Sequence, residues 1–252
     1  MSTPNPISEY GFAPVPANPS TLFTTTSNPP PPFIPVSSTP IPDTPLARRI
    51  QEYARIHLPQ PTYHHSLRVY HYGLAIKRHA FPSSAEAEEW AFSDETYFLT
   101  CMLHDIGTTA ENLRATRLSF EFFGGYLALD VLRNDKDNKA GEGEGGAVAP
   151  QAQAESVAEA IIRHQDLRDV GMITAVGQLV QLATIFDNVG GHAHLVHEDT
   201  VKDVIEHYPR LKWSSCFAST VGEEVALKPW AHTTALGDFR GKILGNPYNR
   251  YE

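Results

Sequence analysis

His65, the adjacent pair His104-Asp105, and Asp187 are two imidazoles and two carboxylates, and each falls on an apolar helical face. Such a face excludes an unpaired charge, and one divalent cation satisfies several of these groups at once. The pair closes a strongly apolar run, FLTCMLHDIG from Phe98 to Gly107. A lone inward histidine is more often a hydrogen-bonded core residue than a ligand. Four metal-capable groups from three helices point instead to a metal centre. Ligand type alone suits zinc, iron or manganese, and an incomplete protein shell leaves a position for water. His164 continues the face of Val157 and Ile161 as a further inward imidazole. It would ligate a second metal or stand beside the first as a proton donor; no other helical histidine completes a second site, so the second role is expected. His192, His194 and His197 follow Gly190-Gly191 and read as solvated loop residues. Cys101 and Cys216 are the only cysteines and read as reduced core thiols.

Six strings lie in order around these residues: HHSLRVY (64–70), LHDIGTT (103–109), TRLSFEFFGG (116–125), VAEAIIRHQD (157–166), GQLVQLATIFDNVG (177–190) and KPWAHTT (228–234). From about Pro45 to Thr234 the chain thereby resembles the fungal cyanamide hydratases, a branch of the HD-domain metallohydrolases. The resemblance implies an all-α HD-domain helical bundle. It also implies a lyase activity, hydration of the C≡N group of cyanamide to urea, with one zinc per subunit and iron or manganese as lesser alternatives. His65, His104, Asp105 and Asp187 would hold the metal. Asp105 and Asp187 would accept the proton of the activated water, and His164 would protonate the nascent imidate nitrogen. Arg68 and Arg117 are expected behind the ligands, neutralising carboxylates. Phe122, Phe123, Thr184, Phe186, Trp230 and His232 are expected to line a narrow pocket, since so small a substrate is selected by exclusion of larger ones.

The elements that must position these groups are helices. Thr44-Pro45 is an N-cap followed by proline at the first helical position, and LARRIQEYARIHL keeps three- and four-residue apolar spacing. Further helices are predicted over about 61–79, from Ser93-Asp94 to the His-Asp pair, and over 117–133, 153–164, 173–187 and 199–207. His65 then shares a stripe with Val69, Tyr72 and Ile76; Asp105 continues Phe98, Cys101 and Met102; Asp187 continues Val176, Val180, Ala183 and Thr184. Residues 134–152, which include GEGEGG, read as a flexible loop. No alternating strand pattern of useful length is present.

Of the 20 prolines, 13 precede residue 46, so residues 1–43 read as a disordered or extended arm outside a catalytic domain of 44–240. Loss of residues 1–38 is accordingly expected to leave turnover within a few fold. Residues 241–252 read as a tail. A net charge of −9 gives no attraction for nucleic acid. No apolar run spans a bilayer, and the N-terminus lacks a secretory pattern. The expected protein is a cytoplasmic homo-oligomer acting on a small molecule. The competing readings are an HD-type phosphohydrolase of small nucleotides and a non-catalytic metal-binding interaction protein.

Overall fold

The computed structural model describes residues 5–23, 29–81, 88–134 and 147–252. Among them lie eleven α-helices and one two-stranded sheet. After a single turn, α1 (Pro6–Glu9), the main bundle starts as the sequence demands. The Thr44 hydroxyl accepts from the Ala47 N–H at the head of α2 (Pro45–His57), whose stripe Leu46, Ile50 and Ala54 is buried. The longest helix, α3 (Gln60–Ala80), is buried almost throughout its middle and carries His65 and Arg68. Ser93 caps α4 (Asp94–Leu103), and His104 closes that helix. A 3-10 turn at Ile106–Thr108 follows. Gly107 lets this turn pass under α6, because a Cβ there would come within 2.1 Å of the Phe120 carbonyl oxygen.

The remaining helices are α5 (Ala110–Ala115), α6 (Phe120–Arg133), α7 (Gln151–Arg163), α8 (Ala175–Val189), α9 (Glu198–His207), α10 (Trp213–Leu227) and α11 (Phe239–Leu244). Gly190 ends α8 at φ 71°, and its N–H closes on the Ile185 and Phe186 carbonyls. α6 packs along α7, α3 along α8, and α4 lies against α2, α3 and α7. One core fills the space between these helices. A second joins Trp213, Phe217 and Val221 of α10 to Phe239 and Ile243 of α11. No helix among the described residues is long and apolar enough to cross a membrane.

Three sequence expectations concern segments at the edges of the bundle. The arm is extended and docked, and its described residues do not show the disordered alternative. β1 (Pro14–Pro16) pairs antiparallel with β2 (Met172–Thr174), placing Val15 opposite Ile173, and Ala13, Val15 and Ala17 are buried. The Glu9 carbonyl accepts from the Ser93 N–H at 3.0 Å, Val36 N–H donates to Asp203 at 2.7 Å, and Tyr70 donates to the Pro40 carbonyl at 2.8 Å. Prolines forbid a helix interior but not an extended edge, and small apolar side chains at alternate positions bury one face of it. Secondly, the flexible loop falls largely on 135–146, outside the described residues; α7 already begins at Gln151. Thirdly, the tail of residues 241–252 is packed on the domain. Ile243 is fully buried, the Asn246 side chain donates to the Asp187 carbonyl at 2.7 Å, and the Glu252 side chain accepts from the Ser214 N–H at 2.9 Å.

Candidate metal centre

α3 and the end of α4 bring His65, His104 and Asp105 together, with one ligand atom from each lying within 4.8 Å of the others. His65 Nε2 stands 3.2 Å from His104 Nε2 and 3.7 Å from Asp105 Oδ2; His104 Nε2 is 3.3 Å from the same oxygen. The opposite edges of the rings fix their tautomers. His104 Nδ1 lies 2.8 Å from the Cys101 carbonyl and His65 Nδ1 lies 2.6 Å from Asp187 Oδ2. These partners only accept, so both Nδ1 atoms carry hydrogen, and in the neutral form of each ring Nε2 presents a lone pair. Asp105 is 1% exposed, yet neither of its oxygens has a hydrogen-bond partner. Two facing lone pairs beside a naked buried carboxylate are mutually repulsive without a shared cation. This donor set fits a divalent transition ion.

The electrostatics agree. Burial lowers His65 to about 4, against the pull of Asp187, so the ring is neutral. Burial also lowers His104, but the Asp105 carboxylate beside it outweighs that and raises it overall. Burial pushes Asp105 up, and the neighbouring His104 and His65 more than reverse this, to about 2. The pocket thus keeps an ionised carboxylate and draws positive charge toward it.

Asp187, expected as a fourth ligand and proton acceptor, stands at the other edge of His65. Its Oδ1 accepts from Arg68 Nε at 3.0 Å and Arg210 Nη1 at 2.9 Å; its Oδ2 accepts from His65 Nδ1 and, at 2.9 Å, from Arg68 Nη2. Both oxygens are taken up by donors. Helical periodicity placed Asp187 on the inward face, but it does not distinguish the layer at the Nε2 edge of His65 from the layer behind its Nδ1. Burial raises Asp187, and Arg68 and Arg210 together overcome this to hold it far below the ordinary carboxylate range. Arg68 thus braces Asp187, which in turn holds His65. Arg117 does not: it is exposed, and its carbonyl accepts from Trp230 Nε1 at 3.0 Å.

Sequence reasoning missed Arg210 and α10. Arg210 is fully buried just before Leu211 and Lys212, both at positive φ, where no helical pattern reaches it. Trp213, which opens α10, stacks on His65 with ring centroids 4.1 Å apart, and donates to Asn188 Oδ1 at 2.8 Å. Here a signal was present, since Trp213, Phe217 and Val221 keep four-residue spacing.

His164 closes α7. Its Nδ1 donates to the Ile161 carbonyl at 2.7 Å, and its ring meets that of His104 edge-on at 5.3 Å. Burial and the nearby His104 lower it, so this imidazole too is neutral. The expected pocket residues divide. Phe186 is core, packed between Tyr72 and Tyr248, and the buried Thr184 hydroxyl donates back to the Val180 carbonyl at 2.8 Å. Phe123 is half-buried and stacks on Tyr126. Trp230 is 61% exposed, so it walls no buried pocket. Phe122 is also exposed, and its ring stacks on His232. Among the described residues the histidines after Gly190 form no metal-holding group. His192 and His194 sit beside Phe23, and His197 caps α9. The Cys101 thiol is buried and pushed up by that burial.

The HD domain family matches residues 62–189 of the chain, a span running from α3 through α8 that holds His65, His104, Asp105, His164 and Asp187. Over 243 residues the chain is 42% identical to cyanamide hydratase DDI2 of Saccharomyces cerevisiae, and to the same extent to cyanamide hydratase DDI3 of that yeast. In both cases the match covers 96% of this chain and 99% of the relative.

Proposed function

Because the chain belongs to the cyanamide hydratase family of HD-domain proteins, we propose that it is a lyase that adds water to the nitrile of cyanamide to give urea at one zinc ion. His65 Nε2, His104 Nε2 and an oxygen of Asp105 would hold that ion. The observation that carries this reading is the pair of partnerless Asp105 oxygens beside two Nε2 lone pairs. When bound, a zinc ion lowers the pKa of a water molecule and polarises a nitrile. The chain's own residues do the rest. The second Asp105 oxygen orients the water by accepting one of its hydrogens. His164, neutral and with Nε2 unprotonated, takes a proton from the oxygen side and returns one to the nitrile nitrogen. Asp187 holds His65 in the tautomer that ligates, and Arg68 and Arg210 hold Asp187. Trp213, stacked on His65, and Phe120, beside His164, supply apolar walls. The liganding side chains are at most 1% exposed, so a molecule must be small to reach them.

A phosphate ester would need free cations. The two arginines at the centre, Arg68 and Arg210, are both engaged by Asp187, which favours a neutral substrate. The test is urea formation from cyanamide by purified, metal-analysed protein, with nucleoside monophosphates in parallel. About one zinc per chain and turnover of cyanamide alone are expected. Release of phosphate without urea would overturn the assignment.

A further inference from the structure

Arg210 comes from outside the HD span of residues 62–189, and it unsettles the charge behind the metal centre. Asp187 pairs with Arg68 at 2.9 Å and with Arg210 at 2.9 Å, and all three side chains are fully buried. Two guanidiniums therefore face one carboxylate behind His65. The His65 ring is neutral, and Asp105 lies at its other edge, on the side where an ion would take up its charge. One positive charge is thus unmatched behind the imidazole that would hold a cation. In a low-dielectric interior that excess opposes the cation.

Glu252 supplies the matching charge. Its Oε1 stands 3.5 Å from Arg210 Nε, and its side chain is 14% exposed. Arg210 Nε has no hydrogen-bond partner, so this contact is one of charge. The same Oε1 accepts from the Ser214 N–H at 2.9 Å, in the first turn of α10, where Lys212 at the N-cap makes no side-chain hydrogen bond. The helix dipole favours a carboxylate there. Neighbouring residues seat the segment. The Asn246 side chain donates to the Asp187 carbonyl at 2.7 Å, and Asn249 Oδ1 accepts at 2.6 Å from Ser214 Oγ, which accepts from Arg210 Nη2 at 3.1 Å. Arg250, the nearest cation in sequence, is turned to Glu198 at 3.2 Å.

We propose that Glu252 is a positioning residue for the metal centre: its charge balances Arg210, so that Asp187 keeps its full pull on the His65 Nδ1–H and the ring keeps its affinity for a divalent cation at Nε2. Glu252 does not touch the ring and acts through Arg210 and Asp187. A carboxylate hydrogen-bonded behind a ligating imidazole raises the basicity of that ligand, and an unmatched guanidinium on the same carboxylate weakens the effect. The competing role is structural, with Oε1 serving only as the missing cap of α10. A cap needs an acceptor oxygen, whereas the balance needs a charge, and substitution separates the two.

This inference rests on the metal-binding reading of the site, so zinc binding by the wild-type chain is measured first, by competition with a chromophoric chelator. A wild type that takes up no zinc would sink that reading, whatever the variants do. Given wild-type binding, Glu252→Gln keeps an oxygen for the Ser214 N–H but loses the charge, and should weaken zinc affinity about tenfold, the low end for a group acting behind a ligand. Glu252→Asp keeps the charge but draws the oxygen back from Ser214, and should bind zinc more nearly as the wild type does. Affinities are compared at a temperature where far-UV circular dichroism shows each variant folded. The role is overturned by unchanged zinc affinity in Glu252→Gln, or by a loss in Glu252→Asp as large as that in Glu252→Gln, which is the result a cap alone would give. If Glu252→Gln does not fold, Glu252→Asp still decides: a loss of about tenfold there would make the contact, and not the charge, the cause.

Discussion

Asp105 and Asp187 are buried to the same depth and address the same imidazole, His65, from its two edges. Asp187 receives two guanidinium groups and an imidazole N–H. Asp105 receives no hydrogen bond at all. A buried carboxylate saturated with donors is a strut: its charge is cancelled and its geometry locked. A buried carboxylate without hydrogen bonds beside two imidazoles draws positive charge, a proton on His104 or a metal ion, and that makes it a candidate site. Neighbouring positions in the fold therefore give one residue type two different chemistries, and the surrounding donors set the difference.

The largest effect expected is at the bare side. His104→Ala should lose both bound zinc and turnover, read by elemental analysis and urea production on one preparation; full activity without metal would remove the distinction between the two aspartates. Next comes the strut. Asp187→Asn leaves two guanidiniums buried without their counter-charge and should destabilise the fold by about 3–5 kcal/mol in guanidinium chloride titrations. Zinc affinity should fall by only about 10–100-fold, as for loss of a group that orients a ligand. Complete zinc loss at unchanged stability would instead make Asp187 a ligand. His164→Gln should retain zinc and lose about 10²-fold in turnover, since it stands beside the ligands; zinc loss equal to that of His104→Ala would move it into their number.

A smaller effect is expected with pH. Asp187 is depressed in the folded state, so the stability it contributes is fully present above the unfolded value of about 4 and is lost as pH falls toward the folded one. The stability gap between wild type and Asp187→Asn should then be constant from neutrality down to about pH 5 and narrow in more acid solution. A gap that widened with acid would contradict the strut. At the other end of α8 from Asp187, removing residues 1–17 uncovers Ile173 and deletes buried Ala13, Val15 and Ala17. About 3 kcal/mol of burial corresponds to a fall in Tm of about 10 °C, measured by scanning calorimetry. An unchanged Tm would restore the dispensable arm that the proline content suggested.

Helical spacing made the inward placement of His65, Asp105 and Asp187 legible, because a period of 3.6 assigns a face to every residue on a helix. It assigns neither depth across the bundle nor the partner on another helix. For that reason the two aspartates looked alike. Arg210 was invisible because it precedes two residues at positive φ and belongs to no helix. Glu121, within FEFFGG, reads as the acid that commonly opens a helix and complements its dipole; its partner His232 lies 111 residues later. The arm misled for a related reason. Composition reports what a segment cannot do alone, and β1, which carries the buried Val15, packs against β2 and α8.

The strand pair β1–β2 also bears on how the chain is made. Pro14 leaves the ribosome about 160 residues ahead of Thr174, its partner, and at roughly 5–20 residues per second the interval is on the order of 10 s. Through that time β1 lacks its partner strand. β1 gains β2 and α8 only after residues 172–189 are made, so a segment synthesised about 160 residues earlier takes its final place only then.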